Sequence, residues 1–269
     1  MSVIPLDIRP DPDDPACAQV RVRASVGDDE LSLIVDTGAA RTRVLAREDL
    51  LSGVRTENDG SGGVFGPGGE VRIAGLSALR LGDLTVEGLE VEVTAAPEQL
   101  DSLLGIDVLG RYRCVFKFSN GTLTLERSGP DAPAGSGDPL QIGARGHALL
   151  GLRWGEVAAC ACWDSGAGIT VVDRAFAARH PELFRRDGVS TGTDSLGASR
   201  ETVTGLLAGP TIGDLRFAAS VAAIVDLGAV NATAAPRLDL ILGYPLIAQA
   251  DWVLDFPARS WRATLRAGA

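Results

Sequence analysis

The chain has only two histidines in 269 residues, His147 and His180, and that scarcity bounds its chemistry. A Ser–His–Asp triad needs an imidazole beside an exposed nucleophile, and Ser195 is not set in a Gly-x-Ser-x-Gly elbow. No His-Glu-x-x-His segment is present, no Gly-x-Gly-x-x-Gly follows a strand, and there is no Walker loop to cradle phosphates. The four cysteines are Cys17, Cys114, Cys160 and Cys162. Cys160 and Cys162 lie two apart in a strand-like segment, so they share a face and read as packing groups. The expectation is therefore no metal and no cofactor, with thiols kept reduced.

Basic clusters are missing too. Twenty-five basic against 35 acidic residues give a formal charge of −10, an acidic solvated surface rather than a nucleic-acid footprint. No apolar run is long enough to span a bilayer, and Met1–Asp7 lacks both a basic n-region and an apolar h-region. The expected partners exclude nucleic acid and membrane, and the expected location is cytoplasmic.

Helical signals are few and short: Ala46–Leu51, Asp107–Tyr112, and Asp173–His180 before Pro181. Strand signals dominate. Gln19–Ala24, Leu79–Leu81, Leu84–Val86 and Leu89–Val93 alternate, and Thr122–Glu126 follows the turn pair Asn120-Gly121.

What the chain does contain is a duplication. Leu33-Ile34-Val35-Asp36-Thr37-Gly38-Ala39 returns as Cys162-Trp163-Asp164-Ser165-Gly166-Ala167, 128 positions later. Leu81-Gly82-Asp83-Leu84 returns as Ile212-Gly213-Asp214-Leu215, and Leu103-Leu104-Gly105 as Ile241-Leu242-Gly243. Val115-Phe116-Lys117-Phe118 returns as Val253-Leu254-Asp255-Phe256. Small insertions in the second copy, one within Asp226–Leu238, account for the drift in spacing. The repeat is domain-sized, and the Pro/Gly/Ser-rich Ser128–Pro139 segment joins the copies. The expected division is residues 1–128, a linker 129–139, and residues 140–269.

Each triplet places a carboxylate between an apolar strand and a glycine turn, so that it projects from a tight, buried loop. Two such loops meeting face to face would bring Asp36 against Asp164. Carboxylates in contact do not both ionise easily. They share a proton, and one becomes an acid and the other a base toward a water between them.

Asp-Thr-Gly-Ala, followed by Leu103-Leu104-Gly105-Ile106-Asp107 and a strand pair, resembles the retropepsin-like aspartic peptidases. The resemblance runs through most of both halves, though Tyr244-Pro245 follows Gly243 where Ile106-Asp107 follows Gly105. It implies an all-β fold of two similar retropepsin-like β-barrel lobes with few short helices and a catalytic cleft between the lobes. It also implies a pepsin-like single chain carrying both lobes, acting as a monomer that hydrolyses peptide or protein substrates through Asp36 and Asp164. The other readings are an inactive peptide- or protein-binding module of the same fold, and a structural or regulatory module that retains the duplicated core. By the same resemblance, the hydroxyls of Thr37 and Ser165 lock the loops together, and Gly38 and Gly166 let backbone N–H groups reach the carboxylates. The glycine-rich stretch Asp59–Gly69 stands where a substrate-covering flap belongs, with Gly63, Phe65 and Gly66 as flap or substrate-binding residues. Ser190–Arg200 is the matching stretch in the second half, either a second flap or merely a hairpin. Ala39 and Ala167 stand where many pepsin-like enzymes carry Ser or Thr.

Overall fold

Alternation along Ala18–Val26 buries Ala18, Val20, Val22, Ala24 and Val26, and this period-two pattern recurs through most of the chain. In the computed structural model, residues 1–45, 48–58, 62–93, 100–128 and 137–267 are described. The all-β fold expected from the sequence forms. Among the described residues there are four α-helices, Ile106–Leu109, Arg174–Arg179, Gly228–Asn231 and Tyr244–Ile247, none longer than six residues. Asp107–Tyr112 thus shortens to one turn begun at Ile106, and Asp173–His180 loses a residue at each end. Of Ala46–Leu51, residues 46–47 lie outside the described residues; Glu48–Leu50 is a 3-10 turn and Leu51 opens a strand.

Three sheets carry the fold. The first has eight strands, all from residues 7–104, with Leu103–Leu104 inserted parallel beside Asp29–Val35. The second has ten strands from residues 141–242, with Leu240–Leu242 parallel beside Val157–Trp163. The third has six strands and draws on both halves. In it Arg113–Lys117 pairs antiparallel with Ala250–Asp255, Val115 facing Val253. The repeated Val-Phe-Lys-Phe and Val-Leu-Asp-Phe segments therefore sit side by side, which is what a two-fold relation between the copies requires. Of the expected linker 129–139, residues 129–136 lie outside the described residues, and Asp138–Pro139 is not free linker but an edge strand of the third sheet, pairing with Ser260 and Trp261.

An aromatic core lies directly beneath the aspartate loops. Trp163, the residue before Asp164, packs on Phe116 with ring centroids 4.9 Å apart and on Trp252 at 5.7 Å. All three are fully buried, one ring from the first half and two from the second. Truncating a core aromatic of this size costs on the order of 3–5 kcal/mol. Cys17, Cys114 and Cys162 are buried free thiols and Cys160 is half-buried. Cys160 and Cys162 pack in the same small cluster, as their spacing predicts.

Candidate active site

Two copies of one local design build the site. In each, a strand ends in Asp, the chain turns through Thr/Ser-Gly, and a short Leu-containing strand runs beside the first. The Asp36 N–H donates to the Leu104 carbonyl at 2.9 Å, and the Asp164 N–H to the Leu242 carbonyl at 3.0 Å. The residue that follows each short strand is glycine for a steric reason: a Cβ on Gly105 or Gly243 would overlap the backbone of Arg41 or Ile169. Thr42 and Thr170 tie the layers together. The Gly105 N–H donates to Thr42 Oγ1 at 3.0 Å and the Gly243 N–H to Thr170 Oγ1 at 3.2 Å. The motif reading missed these two threonines, yet each lies six residues after its aspartate at the same 128-residue offset. The copies differ at Pro245. Asp107 in the first copy accepts from Thr42 N–H and Oγ1–H at 2.9 and 2.7 Å, a brace that proline does not provide.

The loops interlock through their second residues. Thr37 Oγ1 accepts the Ser165 N–H at 3.1 Å and donates to the Trp163 carbonyl at 2.9 Å. Reciprocally, Ser165 Oγ accepts the Thr37 N–H at 3.3 Å and donates to the Val35 carbonyl at 2.6 Å. Both side chains are fully buried, so each hydroxyl satisfies backbone groups that water does not reach.

Gly38 and Gly166 are placed by close approach. A Cβ on Gly38 would overlap the Asp164 carboxylate, and one on Gly166 the Asp36 carboxylate. With only hydrogen there, the Gly38 N–H donates to Asp36 Oδ1 at 2.9 Å and the Gly166 N–H to Asp164 Oδ1 at 2.8 Å. The structure thus brings Asp36, Thr37, Gly38, Asp164, Ser165 and Gly166 together in one place.

The two carboxyls lie against each other's loops, but their surroundings differ. Asp36 is pushed well above its ordinary value, first by burial and then by the neighbouring Asp164 charge. Asp164 is also raised by burial, but N–H donors from Gly166, Gly38 and Ala167 and the hydrogen bond from Asp36 hold it lower. Both carboxyls are thus held above the ordinary aspartate value by burial, and the pair titrates as one system.

That arrangement affects stability with a definite sign. A carboxyl whose folded pKa is raised binds its proton more tightly when folded. Its ionisation costs nothing below the unfolded value near 3.8 and costs progressively more as pH rises toward the folded value. Asp36→Asn removes the ionisation, so its unfolding midpoint relative to wild type should rise between pH 4 and pH 8. Thermal denaturation across that range checks this, and a difference that stays flat or falls would contradict it.

Two hairpins rise over the loops. The first pairs Leu51–Asn58 with Glu70–Leu81, and its tip pairs Gly62–Gly63 with Gly66–Pro67. Residues 59–61 of the expected flap lie outside the described residues. Gly63, Phe65 and Gly66 are all at this tip. The second hairpin pairs Phe184–Thr193 with Ser199–Leu207, so Ser190–Arg200 forms its end. The hairpins meet: the Phe65 N–H donates to Asp194 Oδ2 at 3.0 Å, and Asp194 Oδ1 accepts from the Leu196 and Ala198 N–H groups of its own turn at 3.0 Å each. Asp194 was not singled out in the sequence, where it reads as one more turn residue.

The family model for aspartyl proteases matches residues 22–108. This aspartyl protease match spans the first aspartate triplet, the first hairpin and Leu103-Leu104-Gly105, and it ends before the second triplet. No curated protein matches the chain. No helix among the described residues is long and apolar enough to cross a membrane, and those residues hold no group of His, Cys, Asp and Glu that could bind a metal ion.

Proposed function

We propose that this chain is an aspartic endopeptidase whose two halves, residues 1–128 and 140–269 joined by 129–139, are lobes that each supply one catalytic carboxylate. The observation that carries the reading is the meeting of the Asp36 and Asp164 carboxyls inside two interlocked copies of one loop. Asp164, whose three N–H donors favour its charged form, takes a proton from a bound water. The water oxygen attacks the scissile carbonyl as Asp36 gives its proton to the carbonyl oxygen. Collapse of the tetrahedral species returns that proton to Asp36, and the proton on Asp164 passes to the leaving nitrogen. The C–N bond breaks, one water is consumed, and the pair is restored. Burial strengthens both proton transfers by excluding competing solvent.

Incubation of the purified protein with a peptide library, read by mass spectrometry, tests the proposal. Cleavage at internal bonds is expected, and none from an Asp36→Asn, Asp164→Asn double variant. Peptide binding without cleavage would instead assign the binding-module reading.

Because one chain carries both aspartates, the activity should elute with a monomer. Size exclusion with light scattering, assayed fraction by fraction, checks this, and activity confined to a dimer peak would contradict it.

The working pH should be mildly acidic to neutral. Ala39 and Ala167 offer only backbone N–H groups to the carboxylates. A serine hydroxyl at either position would add a donor to the charged form and lower the pair's apparent values. In Ala39→Ser and Ala167→Ser, the acidic limb of the pH–rate profile should move down by on the order of one unit or less. Folded, active variants with an unmoved limb would contradict this account.

A further inference from the structure

The two halves are alike in backbone but not in the side chains on the strands that follow the aspartates. In the second half, Val171 pairs antiparallel with Ile241 and parallel with Ala223. In the first half, Arg43 pairs antiparallel with Leu103 and parallel with Glu92. These pairings make Arg43 the counterpart of Val171, Glu92 of Ala223, and Leu103 of Ile241. The second-half set is apolar: Val171, Ala223 and Ile241 are buried in one cluster with Val225 and Leu227. Ala167, next to the Asp164 triplet, packs against that cluster, so it adjoins the aspartate pair. The first-half set is polar. Arg43 is 4% exposed, and its Nε donates to Glu92 Oε1 at 2.8 Å.

Each set is covered by the tip of the opposite hairpin, and the covering groups match it chemically. Val64 and Phe65 of the first hairpin pack against the apolar cluster. From the second hairpin, the Ser195 carbonyl accepts from Arg43 Nη1 at 2.7 Å. An aromatic side chain thus sits on the apolar side, and a neutral hydrogen-bond acceptor on the guanidinium side.

We propose that these tips occupy the places of substrate side chains, and that Arg43 with Glu92 sets a polar specificity on one side of the scissile bond. The inference rests on the endopeptidase reading. When the hairpins lift, the Val171 pocket takes a large apolar or aromatic side chain. The Arg43 pocket takes a neutral acceptor, the amide of Asn or Gln, in place of the Ser195 carbonyl. Glu92 offsets the guanidinium charge, so a carboxylate gains no net attraction there, while an aliphatic side chain leaves the buried Arg43 donor unpaired. A site built to hydrogen-bond its substrate rejects the analogue lacking the group far more strongly than an apolar pocket rejects a wrong size.

The test replaces the polar pair with its second-half counterpart, Arg43→Val with Glu92→Ala. Peptides differing only in Gln or Leu at one position beside the cleaved bond are compared. Wild type should favour Gln by about ten-fold or more in kcat/KM, and the double variant should reverse the order. Binding of the same peptides to an Asp36→Asn protein, read by fluorescence anisotropy, separates the two claims. Failure of cleavage with Gln-selective binding retained would sink the endopeptidase reading alone. An unchanged Gln/Leu ratio in the double variant overturns the pocket assignment. Should the double variant not fold, Arg43→Lys preserves the charge but not the guanidinium fork, and its Gln preference should fall. Absence of any Gln preference in wild type overturns the proposal outright.

Discussion

Asp36→Asn and Asp164→Asn should each lower peptide hydrolysis by about 10²- to 10⁴-fold while leaving the protein folded. The two losses have different causes. An amide at position 36 still accepts the Gly38 N–H and still donates toward Asp164, so it copies the protonated acid in shape. It cannot release that proton to the carbonyl oxygen. An amide at position 164 accepts the Gly166 N–H but has no basic oxygen to deprotonate water. Because the pair acts as one unit, the double variant should be scarcely worse than either single one. Steady-state kinetics on a cleaved peptide, with circular dichroism on each variant, checks this. Ordinary activity in either single variant, or losses that multiply in the double variant, would contradict a shared-proton mechanism.

The second large effect is on stability. Thr37→Val keeps the side chain's shape but deletes the hydroxyl that accepts the Ser165 N–H and donates to the Trp163 carbonyl. Both groups would be left unpaired where Thr37 and Ser165 are fully buried. An unpaired buried donor or acceptor costs roughly 1–3 kcal/mol, so the two together should cost about 2–6 kcal/mol. Thr37→Ser retains the hydroxyl and should cost under about 1 kcal/mol, a small cavity term alone. Urea denaturation of the three proteins tests the difference. Equal midpoints for Thr37→Val and Thr37→Ser would show that the interlock contributes no stability.

Much of this site was legible in the sequence because its parts are short-range. Asp, a small hydroxyl residue and Gly in a row determine a loop by local sterics and hydrogen bonding, and a second copy 128 residues on marks a related partner. The strands were legible from alternation, and Gly121 takes the left-handed conformation that the Asn120-Gly121 turn implies, with φ of 66°. What escaped the reading depends on contacts between distant segments. Asp194 is a turn residue until the first hairpin brings Phe65 to it, 129 positions away in sequence. Arg43 and Glu92 are ordinary charged residues on two strands until parallel pairing sets them side by side and the second hairpin covers them. The interleaving of both halves in one six-stranded sheet has no local signature either. It follows from burying the repeated Phe116 and Leu254 segments against each other.

The central claim concerns one proton between two carboxyls, and it can be measured without knowing the substrate. Carbon-13 NMR of carboxyl-labelled aspartate, titrated in wild type and in each Asn variant, resolves the two positions. The prediction is that Asp36 remains protonated well above the range where exposed aspartates ionise, while Asp164 titrates lower. In Asp164→Asn, the Asp36 midpoint should fall, because the neighbouring charge that raises it is gone. Two carboxyls that ionise independently near the ordinary aspartate value would contradict the account.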